Sequence, residues 1–271
     1  MTYVRAMSKD LLREFESTHF EHDGLRRPLY LRGEGPGIIL MHEIPGIYPP
    51  VIEFAERLVS AGYRVYMPEL LGEAGREFSN AYLLQSMTRA CIAREFHVLA
   101  RNHSSPITTW LRALSRKAFE ECGGVGVGCI GMCLTGNFGL ALMVDEFMMA
   151  PVLSQPSLPF PFGAARKRAL HLSDEDLEIV KKRTHDGGCP VLGLRFTGDA
   201  LSPPERFERL REELGDAFEA IEIDSSKGNA AGIEPMAHSV VTKDLVDEEG
   251  HPTRAALDRV MSFFAERLKP V

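Results

Sequence analysis

Four residues of this chain have side chains that could share one reaction: Glu43, Cys133, Asp199 and His238. A cysteine thiolate attacks acyl carbon, an imidazole takes and returns the proton this requires, and a carboxylate holds that imidazole in one tautomer. Cys133 stands in Gly131-Met132-Cys133-Leu134-Thr135-Gly136, between an apolar run over 125–130 and a run of helical character over 134–149. The pattern predicts a strand, a sharp turn and a helix, with the thiol on the turn. There the helix dipole and a nearby imidazolium favour the thiolate. His238 is then the base and Asp199 its orienting acid. The backbone N–H groups of Ile44 and Leu134 are the expected oxyanion donors, each typically worth about 10²–10³ in rate. Glu43 is the odd member, because a carboxylate beside a thiolate disfavours it. Its expected part is to hold the thiol proton at rest and release it when a substrate enters.

Residues this far apart need a fold that gathers them. The run Gly37-Ile38-Ile39-Leu40-Met41 is apolar throughout, as in a strand buried on both faces, and it ends in His42-Glu43-Ile44-Pro45-Gly46. A helix is expected over 50–61, with Val51, Ile52, Phe54, Ala55, Leu58 and Val59 at helical spacing and Gly62 behind it. Strands follow over 63–67, 149–153, 190–196 and 218–223, and helices over 82–99, 106–120, 173–183, 203–214 and 253–268. Ahead of these, 15–20 and 28–31 can pair through a turn at Asp23-Gly24. The alternation predicts a single α/β domain over 1–271. Its doubly wound sheet is mostly parallel, with an N-terminal antiparallel hairpin extension over 1–35 and a helical insertion near the cleft over 80–120. Ligands of such sheets bind outside the carboxyl ends of the strands. Glu43, Cys133 and Asp199 each follow such an end, and His238 lies in the loop after the last strand.

Bulk properties narrow the classes. A net charge of −7 with interspersed signs leaves no basic stripe for nucleic acid. Apolar runs are short and broken by charges, so no membrane span is expected, and the first residues lack the apolar core of a signal peptide. Five cysteines without a C-x-x-C pair predict neither a disulfide framework nor a zinc site, and a cytoplasmic protein is the expectation. No cofactor or metal is expected. Gly123-Gly124-Val125-Gly126 precedes its strand, whereas a dinucleotide fingerprint follows one. His42 and Glu43 are adjacent, which is not a ligand spacing, and they have no third partner nearby.

The order nucleophile, acid, histidine on a strand–turn–helix elbow is that of an α/β-hydrolase. From about residue 15 onward the chain resembles the dienelactone hydrolase family (carboxymethylenebutenolidase-like). The residues that carry the likeness are Glu43-Ile44-x-Gly46, Gly131-x-Cys133-Leu134-x-Gly136, Gly198-Asp199 and His238-Ser239. The resemblance implies an α/β-hydrolase with a Cys-His-Asp triad, Glu43 pairing with the resting thiol, and a small-molecule ester or lactone as substrate. Two departures stand out. Dienelactone-cleaving members carry an arginine four residues after the triad histidine, where it grips a substrate carboxylate; here that position is Thr242, followed by Lys243. Thr135 replaces an elbow glycine. Arg89 and Arg94, in the helical region over the cleft, are candidate replacements for the anion clamp. Phe160 and Phe162, in a Pro/Phe loop over 155–163, are candidate walls of the pocket.

Each residue also has a plainer reading. Cys91, Cys122, Cys129 and Cys189 read as small buried hydrophobes. Asp199 could cap the following helix, with Asp216 and Asp224 as rival acids. Glu43 could bond only to N–H groups of its own turn, and Arg89 and Arg94 could be a solvated helix face. The favoured function is hydrolysis of a small ester, lactone or thioester through an acyl-enzyme on Cys133. The rival is a non-catalytic relative whose elbow thiol senses oxidants or electrophiles. A monomer and a homodimer are equally compatible with the sequence.

Overall fold

A computed structural model of the chain describes residues 12–92, 105–186 and 188–269. Strands β1 (Glu16–His22), β2 (Leu25–Arg32), β3 (Gly37–Met41), β4 (Arg64–Pro68), β5 (Val127–Met132), β6 (Met148–Ser154), β7 (Val191–Phe196) and β8 (Phe218–Ile223) form one 8-stranded sheet. Their order is β1-β2-β4-β3-β5-β6-β7-β8. The β1–β2 and β2–β4 pairs are antiparallel and every other pair is parallel. The hairpin turns at Asp23-Gly24, with φ of 50° and 75°. Two left-handed residues match the twist of the flanking strands in a two-residue loop.

Every residue of β3, β5 and β7 is buried, because helices cover both faces of the parallel sheet. Alternate residues feed opposite cores. Ile39 and Cys129 belong to one core, with Trp110, Leu111 and Phe138. Ile38, Leu40, Ile130 and Met132 belong to the other, with Phe54, Leu58 and Phe264. The helices are α1 (Pro49–Ser60), α2 (Asn80–Ile92), α3 (Pro106–Cys122), α4 (Phe138–Leu142), α5 (Ala164–Arg168), α6 (Asp174–His185), α7 (Pro204–Leu214) and α8 (Pro252–Leu268). Among the described residues, no helix is long and apolar enough to cross a membrane.

One expectation needs correction. The helix predicted over 134–149 is instead a 3-10 turn at Cys133–Thr135 and the five-residue α4, after which the chain turns into β6. All of α4 is buried, so this stretch has no polar face to mark its period, and apolar runs of this kind read alike as helix or strand. So short a helix also supplies little dipole to Cys133. The helical region expected near the cleft over 80–120 is described at 80–92 and 105–120, while 93–104 lie outside the described residues. α2 lines the cleft, but α3 packs on β3 and β5, with Ile107, Trp110, Leu111 and Leu114 buried in the core.

Candidate active site

Cys133 occupies the turn at the carboxyl end of β5 with φ of 57°, an unfavourable value for a residue with a Cβ. The turn is held from several sides. A Cβ on Gly131 would lie 2.2 Å from the Thr135 carbonyl, and one on Gly136 would lie 2.4 Å from Pro156 Cα, so both positions need glycine. Thr135, the residue in place of an elbow glycine, is buried. Its hydroxyl accepts the Met132 N–H at 2.9 Å and donates to the Met41 carbonyl at 2.9 Å, tying the elbow to the end of β3. The N–H of Ser157 donates to the Cys133 carbonyl at 2.9 Å. Only 7% of Cys133 is exposed.

The loop after β8 brings His238 to this turn. Its Nδ1 is 2.6 Å from Asp199 Oδ2, so in the neutral ring the hydrogen sits on Nδ1 and Nε2 is the basic nitrogen. Nε2 is buried, and the group that acts on it is the Cys133 thiol, near enough to interact but outside ordinary hydrogen-bond geometry. Burial opposes the charged imidazolium, but the Cys133 charge and the Asp199 hydrogen bond outweigh it and hold the His238 pKa well above its ordinary value. Asp199 follows β7 and accepts the Leu201 N–H at 2.9 Å through its other oxygen. Asp244 holds the histidine loop itself, taking the N–H groups of His238 at 2.8 Å and Ser239 at 2.9 Å. Its burial works against ionisation, yet those two N–H groups hold its carboxyl below the usual range.

Glu43 is buried beneath this assembly. Tyr48 and Thr242 donate their hydroxyls to Oε1, at 2.6 Å and 2.5 Å. Ser239 donates to Oε2 at 2.7 Å and the Gln155 amide at 3.1 Å. A carboxylate offers about four acceptor positions. These donors occupy them, leaving none for the Cys133 thiol proton. In this arrangement the carboxylate meets these four side chains rather than the Cys133 thiol. The carboxylate joins the ends of β3 and β6 to the histidine loop, and Thr242, where a carboxylate-gripping arginine was sought, is one of its donors. Burial and the Glu43 charge push the Tyr48 hydroxyl pKa well up, so it remains a donor. Replacing Glu43 with alanine strands four donors, and the expected loss is about 2–4 kcal/mol of unfolding free energy in urea titrations. Glu43→Gln, which keeps the volume and one carbonyl, is expected to lose less than half as much. An alanine variant as stable as the parent would show that the cluster does not hold the loop.

A cavity of about 220 Å³ opens beside Cys133 and His238, with Ile44, Phe78, Leu83, Met87 and Phe160 on its wall. Ile44 and Leu134 flank the thiol from the loop after β3 and from the 3-10 turn, whose leading N–H groups lack intrahelical acceptors. Phe162 is 68% exposed, outside the cavity, with its ring 6.2 Å from that of Phe160. Arg89 is exposed on α2 and is not part of the cavity wall, and Arg94 lies outside the described residues. A larger open groove of about 660 Å³ between β1 and α3 is remote from the thiol, and its Asp145 already pairs with Arg112 and Arg116.

His42 is no ligand. Its Nδ1 donates to the Glu43 carbonyl at 2.8 Å and its Nε2 accepts from Leu70 N–H at 3.0 Å, and burial pushes its pKa down to about 4. Among the described residues, no group of three or more His, Cys, Asp and Glu could hold a metal ion. Burial raises the Cys129 thiol to about 12, which suits a core residue. Sequence reasoning missed Gln155, Asp244 and Arg206. Gln155 follows a buried strand at its carboxyl end, the same signal that marks Glu43 and Asp199. Arg206 is fully buried and donates to the carbonyls of Pro156, Pro159, Arg166 and Ala169, which sets the course of the loop bearing Phe160.

A strand order of 1-2-4-3-5-6-7-8 with a cysteine elbow, and with the acid and the histidine arriving from later strand ends, defines an α/β-hydrolase. The chain belongs to the dienelactone hydrolase family, whose model matches residues 29–268. Membership places it among ester hydrolases. Similar solved structures include a protein described as a dienelactone hydrolase from Klebsiella pneumoniae (19% identity, TM-score 0.60, covering 93% of this chain and 98% of that one). A dienelactone hydrolase from Anabaena variabilis is 15% identical with a TM-score of 0.60, covering 94% of this chain and 98% of that one. A cold-adapted esterase from an Arctic intertidal metagenomic library is 15% identical with a TM-score of 0.58, covering 94% of each chain. At these identities the likeness concerns the fold. No curated protein matches the chain in sequence.

Proposed function

We propose that the protein hydrolyses a small ester, lactone or thioester through nucleophilic attack by Cys133. The observation that carries this reading is the 2.6 Å bond between His238 and Asp199, with the other ring nitrogen buried and turned to the Cys133 thiol. His238 takes the Cys133 proton, and the sulphur forms a bond to the carbonyl carbon while the carbonyl electrons move onto oxygen. The N–H groups of Ile44 and Leu134 stabilise that oxyanion. When the oxyanion collapses, the bond to the leaving alkoxide or thiolate breaks and His238 supplies its proton. Water then gives a proton to His238 and adds to the thioester, and the acid departs as the sulphur and imidazole return to their starting state. Asp199 stabilises the imidazolium in both halves. Glu43 acts as a positioning residue, holding the loop that carries His238.

An imidazole would also sharpen a thiol that only sensed electrophiles, but such a thiol needs open access, whereas Cys133 is 7% exposed and sits on an apolar cavity of about 220 Å³, so the hydrolytic reading is favoured. Loss of ester turnover in a folded Cys133→Ala variant tests it.

A further inference from the structure

The cavity beside Cys133 has an unusual division of polarity. The hydroxyls on its wall that could greet a polar substrate, those of Tyr48 and Ser239, both donate to Glu43 and are spent there. Apart from Cys133 and His238, the charged or ionisable groups on the wall among the described residues are Tyr48, Lys243 and Asp244. Lys243 is 49% exposed at the edge of the cavity, with its Nζ 3.0 Å from Asp244 Oδ1, so its charge stays with solvent and that carboxylate rather than entering the apolar space. What remains facing the space is Ile44, Phe78, Leu83, Met87, Phe160 and Leu201.

We infer that the acyl group of the substrate is uncharged and apolar, and that acyl groups bearing a second carboxylate are rejected. This rests on the hydrolase reading above. At roughly 30 Å³ per water-sized group, the 220 Å³ cavity holds about seven non-hydrogen atoms, the size of a hexanoyl group. A carboxylate placed there would lose its water and find no free cation or hydroxyl donor on the described wall. Each methylene that enters the cavity raises transition-state binding by about fourfold.

The test is a panel of p-nitrophenyl esters from acetyl to dodecanoyl, with the mono-p-nitrophenyl ester of glutaric acid as the charged counterpart of the pentanoyl ester. The expected result is a kcat/KM that climbs by about fourfold per methylene to a maximum near hexanoyl and then falls. The glutarate ester is expected to react at least about a hundredfold more slowly than the pentanoyl ester. Met87→Trp, which fills the cavity from α2, is expected to move the maximum to shorter chains. A glutarate ester cleaved as well as its neutral counterpart, a profile flat in chain length, or a maximum unmoved in Met87→Trp would overturn the inference while leaving the hydrolase reading intact. If no ester of either kind is cleaved, the hydrolase reading itself fails, and the inference with it.

Discussion

Replacing Cys133 with alanine is expected to lower kcat/KM for an activated ester by about 10⁴-fold or more. Removing the nucleophile of a triad leaves only the rate that the oxyanion donors and binding supply. The variant should fold. Alanine at φ of 57° carries the same backbone strain as cysteine, and the turn is held by contacts that do not involve the sulphur: the Thr135 hydroxyl, the close approach at Gly136 and the Ser157 N–H. Serine should recover little, because a hydroxyl at neutral pH lacks the thiolate fraction that an imidazole can draw from a thiol. Initial rates with p-nitrophenyl butanoate, with circular dichroism as the check on folding, decide the matter. An alanine variant within tenfold of the parent would remove Cys133 from the chemistry.

The second large effect is expected at Asp199. Asparagine keeps the shape but presents either an amide N–H or a neutral carbonyl to Nδ1, so the tautomer that leaves Nε2 as a base is no longer enforced. A fall of about 10⁴-fold in kcat is expected. The same change should show in the titration of His238. In the parent its pKa is held well above the ordinary 6.5, against burial, by the Cys133 charge and the Asp199 hydrogen bond. A histidine whose pKa is raised on folding adds stability that is fully present below about 6.5, and that is lost as pH rises through the folded-state value. The stability difference between parent and Asp199→Asn should therefore be largest below pH 6.5 and shrink above the folded-state value. Histidine ring resonances followed by NMR give the pKa, and denaturant unfolding at several pH values gives the difference. An unchanged His238 titration with unchanged kcat would show that Asp199 is a loop carboxylate only.

Much of this architecture is readable in the chain, because buried parallel strands are continuous apolar runs and their ends are marked by turn residues. The runs at 37–41 and 218–223 coincide with β3 and β8, and the turn at Asp23-Gly24 lies where its residue types place it. The candidate nucleophile, acid and base, Cys133, Asp199 and His238, are each visible from one local signal, a reactive side chain at or after a strand's carboxyl end. What resists reading is whatever depends on partners remote in sequence. Glu43 meets Ser239 and Thr242 across 196 and 199 residues, and nothing near Glu43 announces that four donors will satisfy it. The same holds for Thr242, which looks like a missing arginine until its hydroxyl is seen on Glu43. Arg206 reads as one more charged position in an amphipathic helix, yet it is buried against carbonyls of the Pro/Phe loop. Periodicity also fails where no face is polar, as in α4, and it cannot tell a helix that covers the cleft from one that covers the sheet, as with α2 and α3.

Turnover through Cys133 requires a covalent acyl intermediate on that sulphur. Mixing the protein with a p-nitrophenyl ester, quenching in acid within the first turnover, and mapping the digested peptides by mass spectrometry tests it directly. The proposed chemistry predicts one acyl group per chain, on the peptide that contains Cys133, appearing together with the first equivalent of p-nitrophenol and absent from Cys133→Ala. Turnover of the ester with no adduct, or with the acyl group on any other residue, would contradict it.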